Sequence, residues 1–147
     1  MKQYDVEAER GRGWFYSDTV KEHFFNPRNL LPSKEAKNYR ADGFGQVGSG
    51  ACGDVMDMWI KVDKKNDKII DCKFETYGCA SAIASTSMLS VMVTENGGMK
   101  IDDALKLTPK DILQRLSGLP ARKIHCSVLG DQALRKAIED YEGKKVK

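Results

Sequence analysis

Two runs in the first half of the chain alternate apolar and polar residues. In "VMDMWIKV", Met56, Met58, Ile60 and Val62 alternate with Asp57, Trp59 and Lys61. In "KIIDCKFETY", Ile70, Cys72 and Phe74 alternate with Asp71, Lys73 and Glu75. A period of two sets one group on each face of a strand. With the polar turn "DKKND" between them, the runs predict an antiparallel hairpin with one buried face.

Helical signals flank this hairpin. Ser17 predicts the cap of a short helix, "DTVKEHFF", with Val20 and Phe24 on one face and Asn26-Pro27 as its stop. Residues 26–43 read as polar and irregular, and the glycine-rich "GFGQVGSGACGD" that follows reads as a loop before the first strand. "GCASAIASTSMLSVMVTENGG" predicts a helix of small residues ending at Asn96-Gly97-Gly98. "KIDDALKL" and "TPKDILQRL" predict two short helices, the second capped by Thr108 with Pro109 in its first turn. A last helix through "CSVLGDQALRKAIEDY" aligns Leu134, Ile138 and Tyr141, and Gly143 is expected to close it. There is no internal repeat. The organisation expected is a flexible tail, 1–15, and a single domain, 16–147.

Composition narrows the function classes. The net charge of +3 balances 24 basic against 21 acidic residues, which gives no electrostatic case for nucleic acid or a membrane surface. The short basic ends, "RGRG" and "KKVK", have no aromatic platform beside them. No apolar run is long enough to span a bilayer, and the charged start lacks the apolar core of a signal peptide. The expected location is therefore cytoplasmic. Cysteines stay reduced there, so the four in this chain read as metal ligands, reactive thiols or packing groups before disulfides.

The cysteines divide by context. Cys72 alternates in phase with Phe74 and is expected in the core. Cys52 sits in the glycine-rich stretch, Cys79 opens the long helix and Cys126 opens the last one. Helix N-termini favour thiolates, and Arg122 and Lys123 act in the same direction on Cys126. No C-x-x-C pair occurs, which argues against a zinc ribbon or a thioredoxin-like site. Asp54 lies two residues from Cys52, and His125 adjoins Cys126. Three thiolates with one of these make a four-ligand set for zinc or an iron–sulfur cluster. A turn residue at Asp54 and a surface histidine at 125 are the plainer readings of the same pattern. "GFGQVG" matches the dinucleotide pattern G-x-G-x-x-G but lacks a preceding strand and a following helix. His23 reads as structural or surface.

"ACGDVM", "YGCASAIASTS" and "KIHCS", in this order, together with "YSDTVKEHFFNPRN", resemble the U-type iron–sulfur cluster scaffolds, the IscU proteins and the N-terminal domain of NifU. The resemblance runs from about Tyr16 to Tyr141. It implies an α/β (α+β) two-layer sandwich of the SufE/NifU-like kind, a small antiparallel sheet with helices packed on one face. It also implies a scaffold, not an enzyme, that takes sulfur from a pyridoxal-phosphate-dependent cysteine desulfurase. It further implies iron and electron donors, the latter ferredoxin-like, and a transient [2Fe–2S] cluster that would be passed to apo iron–sulfur proteins. Cys52, Cys79 and Cys126 match the cluster-ligand positions, and Asp54 and His125 the fourth-ligand candidates. Cys126 matches the sulfur acceptor and Lys123 a functional lysine of the same motif.

The resemblance also carries distinctions. The chain ends after the family's closing helix, which predicts a stand-alone scaffold. It lacks the insertion expected of SufU zinc-dependent sulfurtransferases. Leu119-Pro120-Ala121-Arg122-Lys123 departs from Leu-Pro-Pro-Val-Lys, which weakens the expectation of a dedicated Hsp70-type chaperone. Monomer and homodimer are both compatible with the sequence. Two rival classes share the ligand set: a zinc-bound sulfurtransferase (the isolated protein could equally carry Zn²⁺) and an electron carrier with a permanent cluster. Asp54 and His125 argue against the carrier, whose ligands are usually cysteines throughout.

Overall fold

Met56, Met58, Ile60 and Val62 are all buried on one face of strand β2 (Asp54–Asp63), as their alternation predicts. The computed structural model describes residues 17–49, 54–77, 80–117 and 126–146 of the chain. Strand β3 (Lys68–Thr76) pairs antiparallel with β2 and closes the expected hairpin. Strand β1 (Gly43–Ser49) flanks β2 on the other side, and the two-residue β4 (Met99–Lys100) flanks β3. The sheet order is β1-β2-β3-β4, antiparallel throughout.

In β3 the phase of burial changes midway. Lys61 pairs with Asp71, but the next β2 residue, Val62, pairs with Ile69. Ile70 is therefore the extra residue of a β-bulge, and a bulge reverses which residues face inward. Ile69 is fully buried and Ile70 is 52% exposed. This corrects the sequence expectation that Ile70 shares the core face with Cys72 and Phe74.

The glycine-rich stretch also folds differently from expectation, since its first seven residues form β1. The reason is close packing. A Cβ on Gly43 would collide with the Ala137 carbonyl oxygen, and one on Gly45 with the Ala133 carbonyl oxygen. Absence of side chains at these two positions lets the last helix lie directly on the strand.

The helices are α1 (Asp18–Phe25), α2 (Ser33–Ala36), α3 (Ala80–Thr94), α4 (Ile101–Ala104), α5 (Pro109–Leu116) and α6 (Cys126–Val146). Ser17 caps α1 by accepting from the Val20 N–H, and Thr108 with Asp111 forms a reciprocal capping box on α5, both where the sequence predicts caps. Helix α6 continues through Gly143 to Val146 rather than ending at the glycine. A lone glycine is tolerated inside a helix that packing already holds.

Helices α3 and α6 lie on the apolar face of the sheet, with α1 and α5 against α3. Ala82, Ala84, Leu89 and Val93 of α3 are buried, and so are Ser81, Ser85, Thr86, Ser87 and Ser90. The helix is enclosed on several sides, so it has no polar stripe, and small residues permit close approach from each side. Leu134, Ile138 and Tyr141 of α6 complete the core. The two-layer α+β architecture is the one expected.

Candidate metal centre

Two chain connections and two helix starts lie at one end of the sheet. Ser49, the last residue of β1, pairs with Asp54, the first of β2, so the connection 50–53 that carries Cys52 leaves and returns there. Thr76 of β3 pairs with Met56, and the Tyr77 N–H donates to the Val55 carbonyl. Strand β3 therefore ends beside the start of β2. Residues 78–79 then lead to Ala80 and α3.

Helix α6 reaches the same end by its direction. Gly43 packs on Ala137 and Tyr141, and Gly45 on Ala133, so the helix runs antiparallel to β1. From Gly45 to Ser49 the strand advances about 13 Å. From Ala133 back to Cys126 the helix retreats about 10 Å. Gly130 of α6 meets Thr86 and Leu89 of α3, which sets the first turns of the two helices near each other.

Of the sequence-predicted ligands, Cys52, Cys79, Lys123 and His125 lie outside the described residues, as does the segment Leu119–Lys123. For Asp54 and Cys126 the backbone alone is described: Asp54 opens β2 and Cys126 opens α6. What the fold brings together is thus the ends of the elements that carry or adjoin these residues. Helices α3 and α6, of 15 and 21 residues, both direct their N-termini here. Unpaired N–H groups and aligned peptide dipoles at such ends favour negative charge, the state of a thiolate ligand. In the second turn of α6, buried Asp131 lies 3.3 Å from Arg135 Nε, and burial holds its carboxyl above the usual range.

The fourth cysteine is separate. Cys72 is fully buried at mid-strand opposite Ile60, and burial, with Asp71 beside it, pushes its thiol up to about 12. It is a packing group, as its alternation predicts.

His23 is structural too. Its Nδ1 is 2.7 Å from Ser87 Oγ, which also accepts from the Arg28 N–H. Burial, then the nearby Arg28 charge, lowers its pKa, with Arg115 adding to the effect and Glu22 opposing it. Sequence reasoning did not find this link. Its partners are 64 positions apart, and no local pattern marks them.

Comparison with known proteins adds an independent line. The family described as "NifU-like N terminal domain" matches residues 15–147. The chain is 44% identical over 134 residues to the nitrogen fixation protein NifU of Azotobacter chroococcum, covering 91% of this chain and 41% of that protein. It is 49% identical over 126 residues to the iron–sulfur cluster assembly scaffold protein IscU of Aquifex aeolicus, covering 86% and 75% respectively. It therefore spans about two fifths of the NifU relative and three quarters of the IscU relative. In structure it is similar to the N-terminal part of a NifU-like protein from Brucella abortus, with a TM-score of 0.62, 17% identity, and coverage of 87% of this chain and 94% of that one. At that identity the likeness concerns the fold alone.

Proposed function

Because the chain belongs to the family of NifU-like N-terminal domains, we propose that it is a scaffold on which a labile [2Fe–2S] cluster is assembled and from which it is transferred to apo iron–sulfur proteins. The convergence of the 50–53 connection, the start of α3 and the start of α6 at one end of the sheet is the observation that carries this reading. The relatives' names supply the rest: IscU of Aquifex aeolicus is a scaffold for iron–sulfur cluster assembly.

In this reading the cluster is cargo. Cys52, Cys79 and Cys126 hold it, with Asp54 or His125 in the fourth place. Thiolates are the soft ligands such clusters take, and one oxygen or nitrogen ligand holds less firmly than a fourth thiolate. Cys126 is the first sulfur acceptor. Its thiolate attacks the outer sulfur of a persulfide on a cysteine desulfurase. A new S–S bond forms on Cys126, and the desulfurase cysteine leaves as a thiolate. Reducing that transferred sulfur to sulfide takes two electrons, supplied by a ferredoxin-like donor. Lys123 favours the Cys126 thiolate by its charge.

The working unit is domain 16–147 behind the tail 1–15, acting in the cytoplasm; among the described residues no helix is long and apolar enough to cross a membrane. Mass spectrometry after incubation with a cysteine desulfurase and cysteine tests the assignment of the acceptor. Added sulfur on Cys126 supports it, and persulfide confined to Cys52 or Cys79 contradicts it.

A further inference from the structure

At the end of the sheet opposite the cysteine-bearing one, the short edge strand β4 is laid against the start of β3 by a tight turn. Asn96, Gly97 and Gly98 all take left-handed φ values, 55°, 88° and 104°. Gly98 comes so close to β3 that a Cβ there would collide with the Ile69 carbonyl oxygen. The turn brings Lys100 of β4 directly opposite Lys68 of β3. Beside the two strands lies a cleft of about 370 Å³, lined by both lysines and by Met92, Met99, Glu95, Asn96 and Asp103. Lys68 and Thr76 stand at the two ends of β3, about 26 Å apart, so the cleft is separate from the candidate metal centre.

Lys68 and Lys100 are direct cross-strand partners, and like charges in that relation weaken a sheet. Among the described residues neither lysine makes an ion pair. The carboxylates nearby do not neutralise them. Glu95 accepts from both terminal guanidinium nitrogens of Arg115. Asp63, which pairs with Lys68 from the β2 side, accepts from the Asn66 side chain and the Lys65 N–H and feels Lys68 only through its charge. Asp67 accepts from the Tyr141 hydroxyl. Asp103 is exposed and lines the cleft. Lysines on an edge strand discourage pairing with other chains. That accounts for Lys100 alone, because β3 is an inner strand. Departures of this kind from local consistency concentrate at functional sites.

The geometry points to a site for a small organic carboxylate with an apolar body. The carboxylate lies between the Lys68 and Lys100 ammonium groups, where its charge offsets their repulsion. The Asn96 side-chain amide supplies a further donor. The apolar body packs on Met92 and Met99, whose flexible thioether side chains adapt to varied shapes. A concave surface with an apolar part and a few polar groups that fix orientation is the usual form of a small-molecule site. Asp103 and Glu95, on the same lining, oppose a second negative charge. The site therefore selects a carboxylate monoanion over a phosphate dianion.

The test is a titration of the isotope-labelled full chain with hexanoate at constant ionic strength, followed by NMR. Hexylamine and inorganic phosphate serve as controls. Saturable shift changes confined to residues 68–69, 92–100 and 103 are expected, with phosphate binding more weakly and hexylamine not at all. Lys68→Gln/Lys100→Gln should bind hexanoate about tenfold more weakly. The same variant should melt no lower than the parent, because it also removes the lysine repulsion. Lys68→Arg/Lys100→Arg, which keeps both charges, should retain binding. No saturable shift, shifts centred elsewhere, phosphate as tight as hexanoate, or the same residues responding to hexylamine would overturn the inference. So would unchanged affinity in the glutamine variant or lost affinity in the arginine variant.

Discussion

His23 and Ser87 stand 64 positions apart in the chain and are joined by a buried bond of 2.7 Å between Nδ1 and Oγ. Ser87 also takes the Arg28 N–H, and Asn29 Nδ2 donates to Ser90 Oγ. Helix α1 and the turn after it are thus fastened to α3, whose first residue follows Cys79. The fastening rests on a histidine whose pKa burial lowers.

A histidine with a lowered folded-state pKa binds fewer protons when folded than when unfolded. Its contribution to stability is complete above its ordinary pKa of 6.5 and is lost as pH falls through that value toward the folded one. Thermal melting from pH 8 down to pH 5, chosen to span about 6.5, should show a declining midpoint. His23→Gln should flatten that decline, and an identical pH profile in the variant would remove His23 from the account.

Gly45 and Gly143 predict opposite responses to the same substitution. A Cβ at 45 meets the α6 backbone, so Gly45→Ala should destabilise by about 1–3 kcal/mol as α6 is pushed off β1. At 143 nothing lies within 4 Å, and Gly143→Ala, inside a helix, should stabilise by up to about 1 kcal/mol. Denaturant titration of the two variants measures both signs.

Cys72, with its thiol pushed up to about 12 by burial, should resist alkylation in the folded protein and react after unfolding. Cys72→Ala should retain cluster loading, whereas alanine at Cys52, Cys79 or Cys126 should abolish or sharply reduce it. Absorbance after reconstitution and peptide mapping after alkylation read the two halves of this prediction.

If Asp54 keeps the cluster exchangeable, Asp54→Ala should slow its loss to a chelator or an acceptor. The half-life of the cluster absorbance gives the answer, and an unchanged or shorter half-life removes Asp54 from that role.

Much of this was legible in the sequence because it is local. The alternation of Met56, Met58, Ile60 and Val62, the Ser17 and Thr108 caps, and the face formed by Leu134, Ile138 and Tyr141 each follow from neighbours within a turn or a strand. The failures were tertiary. Ile70 faces outward because β2 and β3 slip by one residue, and Gly43 and Gly45 form a strand because a distant helix presses on them. Cys72 could be set apart because its alternation puts it inside a strand, where it is buried, and Cys126 opens α6; Cys52 and Cys79 lie outside the described residues. That the starts of α3 and α6 and the 50–53 connection meet at one end of the sheet depends on strand register and helix direction, which no local pattern contains.

The most direct measurement is anaerobic incubation of the full chain with a cysteine desulfurase, cysteine and Fe²⁺, followed by visible spectroscopy and addition of an apo-ferredoxin. The account predicts that a [2Fe–2S] absorption appears on the chain and then moves to the ferredoxin. Retained zinc with no cluster, or a cluster that stays and cycles between redox states without transfer, would contradict it.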